Sequence, residues 1–284
     1  MKVIVLGYGG RADVVKEVER FLPIIERYAE ILLVDLSGEK DLSPYQADYV
    51  IVFGGDGSIL RAARQMGKKQ FPVIAVNLGK LGFLADISPQ ELEGVLSLAE
   101  HSRLPVVDHL MLSSELVAQG SVVVQSLALN EVAILNGPPF GLLDVELWVD
   151  GDLATVYSGD GLILATPVGS TAHSLSAGGP ILRKDLDAIV ICPISPHTLS
   201  NRPVVDSADR VYELRVLNPQ PNTALVIDGC TVGHVRADHR IYVRRADPRF
   251  QLVSAPGHSY YRTLREKLGW GGQTRANNRS TSSS

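Results

Sequence analysis

An apolar run, Tyr49 to Phe53, ends in Gly54-Gly55-Asp56-Gly57 and passes at Ser58 into a segment of helical periodicity. A strand that is apolar on every residue needs cover on both faces, which suits a parallel sheet with helices on either side. The same alternation fills the first hundred residues. Val3 to Leu6 reads as a strand closed by Gly7, Gly9 and Gly10. Asp13 is expected to cap a helix reaching Tyr28, with Val14, Val18, Phe21 and Ile25 on one face. Ile31 to Leu36 and Val73 to Val76 are further strands, and Pro89 to Glu100 a helix capped by Ser88. Strand, helix, strand in sequence predicts a doubly wound α/β unit with a parallel sheet.

After about Arg103 helical periodicity nearly disappears. Short β-prone stretches recur at Leu112–Val117, Val122–Leu127, Val132–Leu135, Leu143–Val149, Leu162–Ala165, Ala188–Cys192, Val211–Leu217, Leu225–Ile227 and Arg240–Val243, separated by Gly, Pro, Asn and Asp. This pattern predicts a β-rich, sandwich-like domain. Tyr260 to Leu268 reads as a final short helix. Residues 271–284, rich in Ser, Asn, Thr and Arg, are expected to be disordered.

The 284 residues suffice for one large domain or two moderate ones. A chain of this size buries roughly 75% of its unfolded surface and needs no disulfide or metal to hold it. A net charge of -4 points to neither nucleic acid nor a membrane as a general partner. Cys192 and Cys230 lack zinc spacing, and two reduced, buried thiols are expected rather than a disulfide. No signal-peptide pattern and no run of roughly 18 apolar residues occurs, so a cytoplasmic setting is expected.

The chemistry is concentrated in a few segments. In Gly54-Gly55-Asp56-Gly57 the missing Cβ atoms let successive N–H groups face one anion, and the helix N-terminus that follows adds partial positive charge. A phosphate chain suits such a turn. A carboxylate beside phosphates is repelled unless it has a task, and Asp56 could accept a proton from a hydroxyl or help hold Mg2+; a tight turn with a solvated Asp is the plain alternative. The loop is not a P-loop, and Gly7-Tyr8-Gly9-Gly10 lacks the last glycine of the dinucleotide fingerprint, because position 12 is Ala.

Asn77 to Leu84 follows the fourth strand, at the carboxyl edge where open α/β sheets hold ligands. Its Gly79 and Gly82 permit close approach, while Phe83, taken alone, fits the core. Asn130-Glu131 interrupts strand-like sequence with an amide and a carboxylate. Ser158 to Pro180 is a strand bracketed by glycines, then a run of hydroxyl and small residues that can take a flat ligand close to the backbone. Pro193 to Pro203 and Asp228-Gly229 complete the set; His197 reads as structural, and Arg202 suits a phosphate or a carboxylate. The seven histidines form neither HExxH nor a Cys/His cluster, so no protein-held transition metal is expected.

Taken in order, these segments resemble those of the NAD kinase family. GGDG alone is shared with lipid kinases, whereas Leu175-Ser176-Ala177-Gly178-Gly179-Pro180 at the end of the long segment is specific to NAD kinases. The ending Arg265 to Trp270 is similar too, and the resemblance covers about residues 3–270. It implies transfer of a phosphoryl group from ATP or a related donor to the 2′-hydroxyl of the adenosine ribose of NAD, with Mg2+ or another divalent cation not held firmly by protein side chains. It implies an α/β nucleotide-binding domain over 1–100 completed by 256–270, a β-rich NAD-binding domain over 101–255, NAD between them, and a homodimer or homotetramer whose subunits help complete each other's sites.

By position, Asp56 matches the family's general base. Gly54, Gly55 and Gly57 would bind phosphate, with Gly57 also near NAD. Phe83 would line the adenosine pocket, Asn130 and Glu131 would hold the adenosine part, and Asp160 would contact the nicotinamide end. Thr171, Ala172, His173 and Ser176 would contact adenine or ribose, and Asp228 would lie close by. The chain departs from the pattern at Ser58 and Val168, where Thr is usual, and at His173, where Tyr is usual. A lipid kinase and a non-catalytic NAD sensor are the rival readings. The acidic-apolar stretch of lipid kinases is missing after the loop, where Ile59 to Arg64 stands instead, and the intact Asp56 argues against a sensor.

Overall fold

The computed structural model describes residues 1–79, 82–198, 201–254 and 260–269. The first part runs β1 (Lys2–Leu6), α1 (Ala12–Ile25), β2 (Glu30–Asp35), β3 (Tyr49–Gly54), α2 (Asp56–Met66), β4 (Val73–Asn77), α3 (Pro89–His101) and β5 (Val106–His109). There follow β6 (Leu112–Ala118), β7 (Ser121–Ala128), β8 (Glu131–Leu135), β9 (Leu143–Val149), β10 (Asp152–Gly159) and β11 (Gly161–Ala165). After a 3-10 turn (Gly169–Thr171) come α4 (His173–Ser176), β12 (Ala188–Ile194), β13 (Val204–Ser207), β14 (Tyr212–Val216), β15 (Ala224–Ile227), β16 (Cys230–His234), β17 (Arg240–Arg245), β18 (Phe250–Val253) and α5 (Tyr260–Leu268).

The first sheet has the order β2-β1-β3-β4-β18-β5. All its pairings are parallel except β18 with β5. Successive side chains of a strand point to opposite faces, and here both faces are dry. Val3, Val5, Ile51, Phe53 and Ile74 pack under α1 and α3. Ile4, Leu6, Val50, Val52 and Ala75 pack under Ile59, Ala62, Ala63 and Met66 of α2. This is why Tyr49 to Phe53 is apolar throughout.

The remaining strands form two antiparallel sheets, β10-β9-β14-β17-β6-β7 and β13-β12-β11-β8-β15-β16. Val145, Leu147, Leu214 and Ile241 of one share a core with Val132, Ile134, Leu162 and Leu225 of the other. The chain leaves the first sheet only after His109 and re-enters it at Phe250. The sequence boundaries at 100 and 255 therefore leave two strands of the first sheet, β5 and β18, on the wrong side.

Five strands go beyond the sequence reading: β5, β10, β13, β16 and β18. The first four lie at sheet edges, where exposure weakens the apolar pattern; Val106, Leu153, Val156, Val204 and Val205 are all exposed. Helix ends also differ. Arg11, not Asp13, is the N-cap of α1, and Asp13 sits in the first turn with the Arg11 Nε 3.1 Å from its Oδ1. The helix stops at Ile25, where Arg27 and Tyr28 N–H close three-residue turns on Ile24 and Ile25. α2 begins at Asp56 with Gly55 as N-cap, so Ser58 stands inside the first turn. The cap of α3 is as expected: the Ser88 N–H and hydroxyl both donate to Glu91 Oε2, at 2.7 and 2.6 Å.

Both cysteines are free, but only Cys192 is buried; Cys230 is half-buried, because it stands on an edge strand. Among the described residues no helix is long and apolar enough to cross a membrane. The expected disorder of 271–284, and Lys80, Leu81 and Trp270 of the motifs above, lie outside the described residues.

Candidate functional site

Asp56 is the first residue of α2, and its carboxylate turns back onto the loop after β4. Oδ2 accepts the Phe83 N–H at 2.8 Å; Oδ1 accepts those of Leu84 and Ala85 at 3.0 and 3.2 Å. An ionised carboxylate offers about four lone-pair sites, so one is left for a ligand. Gly82 makes the arrangement possible, since a Cβ there would fall 2.0 Å from Asp56 Oδ1. Gly54 has φ +146°, and a Cβ on it would meet the Ser58 hydroxyl. Around Gly55 and Gly57 a Cβ would find open space. The protein itself does not need those two glycines bare, and they stand at the N-terminus of α2, where the first N–H groups of a helix lack intrahelical partners.

A second carboxylate repeats the device. Asp228, at φ +47° in the turn between β15 and β16, accepts the Leu129 N–H on Oδ2 at 2.8 Å. Its Oδ1 accepts those of Asn130 and Glu131 at 2.8 and 3.0 Å. It thereby fixes the entry to β8. Glu131 is 6% exposed, and its Oε2 is buried with no hydrogen-bond partner among the described residues. Burial, then the neighbouring Asp228, pushes its pKa up to about 7. Asp228 is itself raised by burial, against the three N–H groups that favour its charge. A buried polar atom without a partner is costly, and a ligand hydroxyl would satisfy this one.

The long segment closes on the same place. Gly169 packs so tightly on the backbone of Asn130 that a Cβ would lie 1.9 Å from the Asn130 carbonyl oxygen. Thr166 ties the two together, its N–H donating to Asn130 O at 2.8 Å and its hydroxyl to Leu129 O at 2.6 Å. The Thr171 hydroxyl donates to Val168 O at 3.0 Å. Thr171, Ala172 and His173 are half-buried and Ser176 is exposed, so all four remain within reach of a ligand. Ile59, Leu84, Ala85, Leu129 and Val168 share one buried cluster. That cluster draws the Asp56 loop, the Asn130-Glu131 pair and the 169–176 segment together.

Asp160 does not join them. It is exposed and sits before β11, whose Gly161 pairs with Leu135 while Ala165 pairs with Glu131. At about 3.3 Å per residue, Asp160 lies roughly 15 Å along the strand from the Glu131 end. His197 is exposed, its N–H bonded to Ser158 O at 3.0 Å.

Phe83 is half-buried at a cavity of about 230 Å³ that is also lined by His109, Lys184 and Tyr260. Nothing in the sequence singled out Lys184 or His109. Burial, followed by the charge of Lys184, pushes the pKa of His109 down to about 4. Among the described residues no three His, Cys, Asp or Glu side chains converge into a metal cage.

Residues 38–103 match the family model described as the ATP-NAD kinase N-terminal domain, and residues 129–255 that of the ATP-NAD kinase C-terminal domain. The NAD kinase of Rhodopirellula baltica is 50% identical over 272 residues, covering 96% of this chain and 88% of the relative. That of Geotalea daltonii is 38% identical over 250 residues, covering 88% of each. Yeast NADH kinase, solved with NADH, shares the two-domain fold with a TM-score of 0.86 at 24% identity, covering 97% of this chain and 89% of that one. An NAD kinase from Archaeoglobus fulgidus, solved with ATP, has a TM-score of 0.77 at 28% identity, covering 95% and 99%.

Proposed function

The chain belongs to the NAD kinase family and phosphorylates NAD at the expense of ATP, and from that premise we propose that Asp56 is the base that takes the proton of the adenosine ribose 2′-hydroxyl. The observation that carries this reading is the state of the Asp56 carboxylate. Three N–H groups of Phe83, Leu84 and Ala85 fix its direction, and one lone-pair site is left beside the open glycine turn. Gly54, Gly55 and Gly57 let the donor phosphates come against the backbone.

Asn130 and Glu131 hold the adenosine part of NAD, with Glu131 Oε2 taking a ribose hydroxyl. Thr171, Ala172, His173 and Ser176 line the adenine and ribose, Phe83 closes the pocket, and Asp228 keeps Asn130 and Glu131 in place. The terminal phosphoryl group then passes in line to the 2′-oxygen: the new P–O bond forms as the bond to the bridging oxygen of the leaving ADP breaks, and Asp56 takes the hydroxyl proton. Most of the acceleration comes from positioning and electrostatics.

A hard cation would be held largely by phosphate and water oxygens, with Asp56 as the nearby protein carboxylate favouring its charge. Mg2+ bound there would neutralise the donor charge. Asp160, at the far end of β11 from Glu131, contacts the nicotinamide end of NAD, in a homodimer or homotetramer whose subunits help complete each other's sites. The two free thiols suit a reducing cytoplasm.

The lipid-kinase and sensor readings find no support among the relatives. Incubation with NAD, ATP and Mg2+, with NADP detected by an NADP-specific dehydrogenase, tests the reading. Steady NADP formation is expected, and NAD binding without turnover would favour the sensor.

A further inference from the structure

Lys184 lies outside every segment assigned above. It is the middle residue of Arg183-Lys184-Asp185, and its two neighbours turn outward and pair with each other, Arg183 Nη2 lying 2.7 Å from Asp185 Oδ2. Lys184 turns inward. Its Nζ donates to the carbonyl oxygen of Phe83 and stands 5.8 Å from the centre of the Tyr260 ring. Its own carbonyl accepts the Nδ1–H of His109 at 3.3 Å. Burial disfavours the ammonium, and Asp86 and then Asp56 favour it.

That oxygen is not an arbitrary one. The Phe83 carbonyl and the Leu84 N–H are the two ends of a single peptide unit, and the Leu84 N–H donates to Asp56 Oδ1 at 3.0 Å. An ammonium on the oxygen end withdraws electron density and makes the N–H end a stronger donor, as in any chain of polarised hydrogen bonds. The same contact fixes the plane of the peptide, and with it the flanking N–H groups of Phe83 and Ala85 that complete the Asp56 cradle. Lys184 also belongs to the stretch that follows the 169–176 segment, so the link runs from the β-rich part to the loop of the first sheet.

We propose that Lys184 is a positioning residue for phosphoryl transfer, acting on Asp56 through the Phe83–Leu84 peptide. The proposal rests on the reading of Asp56 as the catalytic carboxylate. It requires no contact between Lys184 and either substrate.

The test is a cycle of four proteins: wild type, Lys184→Met, Asp56→Asn and the double variant, with Lys184→Arg alongside. Loss of a charge-assisted hydrogen bond predicts a kcat for Lys184→Met about 10- to 100-fold below wild type, with KM for NAD and ATP within about twofold. Lys184→Arg should recover most of the loss. In the Asp56→Asn background Lys184→Met should cost nothing further, because its effect passes through that carboxylate.

A raised KM for ATP at unchanged kcat would instead make Lys184 a direct donor contact and overturn the proposal. So would a loss that multiplies with that of Asp56→Asn, or one that Lys184→Arg shares in full with the same fall in thermal midpoint. If Asp56→Asn alone turns over normally, it is the reading of Asp56 that fails. If Asp56→Asn is crippled and Lys184→Met is not, only the positioning role fails.

Discussion

Asp56 and Asp228 hold the two sides of the site by the same device: each carboxylate accepts three consecutive backbone N–H groups, Phe83 to Ala85 for the one and Leu129 to Glu131 for the other. In each case one oxygen takes two of the donors. Their surroundings differ. Asp228 is buried and raised in pKa, whereas Asp56 stands at the mouth of an open glycine turn. The first arrangement suits a clamp and the second a clamp that also faces a ligand.

Asp228→Asn separates the charge from the shape. Asn tolerates the left-handed backbone at this position, but its amide nitrogen would face an N–H donor. At least one hydrogen bond to a charged group is lost, which costs about 1.5–3 kcal/mol. Chemical denaturation should show a loss of this size, and calorimetry a weaker NAD affinity, because Asn130 and Glu131 lose their anchor.

Gly82→Ala tests the Asp56 cradle from the other side. The new Cβ would fall 2.0 Å from Asp56 Oδ1, so the carboxylate or the loop must move. Overpacking of this kind costs about 1–3 kcal/mol, and a displaced base should lower kcat by about 10-fold or more. Steady-state kinetics should find the loss in kcat, with NAD binding largely kept, since Asn130 and Glu131 are not touched.

Glu131 gives the protein a pH signature. Its pKa rises from 4.5 to about 7 on folding, through burial and then Asp228. Between those values the folded state binds more protons at this residue than the unfolded state, so stability falls as pH rises. The penalty is absent below about 4.5, grows toward 7 and then stays. At one pKa unit per 1.36 kcal/mol it amounts to about 3 kcal/mol at most. Glu131→Gln fits the same volume and removes the charge. Thermal melts of the unliganded proteins should show the variant gaining on wild type across this window, and parallel curves would rule the signature out.

What could be read in advance follows from range along the chain. Tyr49 to Phe53 announces a doubly covered strand because every residue is apolar, and the bare turn after it is local too. The edge strands β5, β10 and β13 are hard to read in the sequence because Val106, Leu153 and Val204 face solvent. Apart from the family resemblance, Asn130 and Glu131 stand out only as polar residues between β-prone runs. The grip of Asp228 on them spans 97 to 99 positions and has no local signature. Lys184 was invisible for the same reason. Its partner Phe83 is 101 positions away, and within Arg183-Lys184-Asp185 nothing distinguishes the inward side chain from its solvated neighbours.

The most direct measurement of the central claim pairs NADP formation with NAD affinity in Asp56→Asn, using purified protein, ATP, Mg2+ and an NADP-specific dehydrogenase. Loss of a general base typically costs about 10²–10⁴-fold in rate. The predicted result is a kcat lower by that order with the NAD dissociation constant within a few fold of wild type. Near-normal NADP formation by Asp56→Asn would contradict the account.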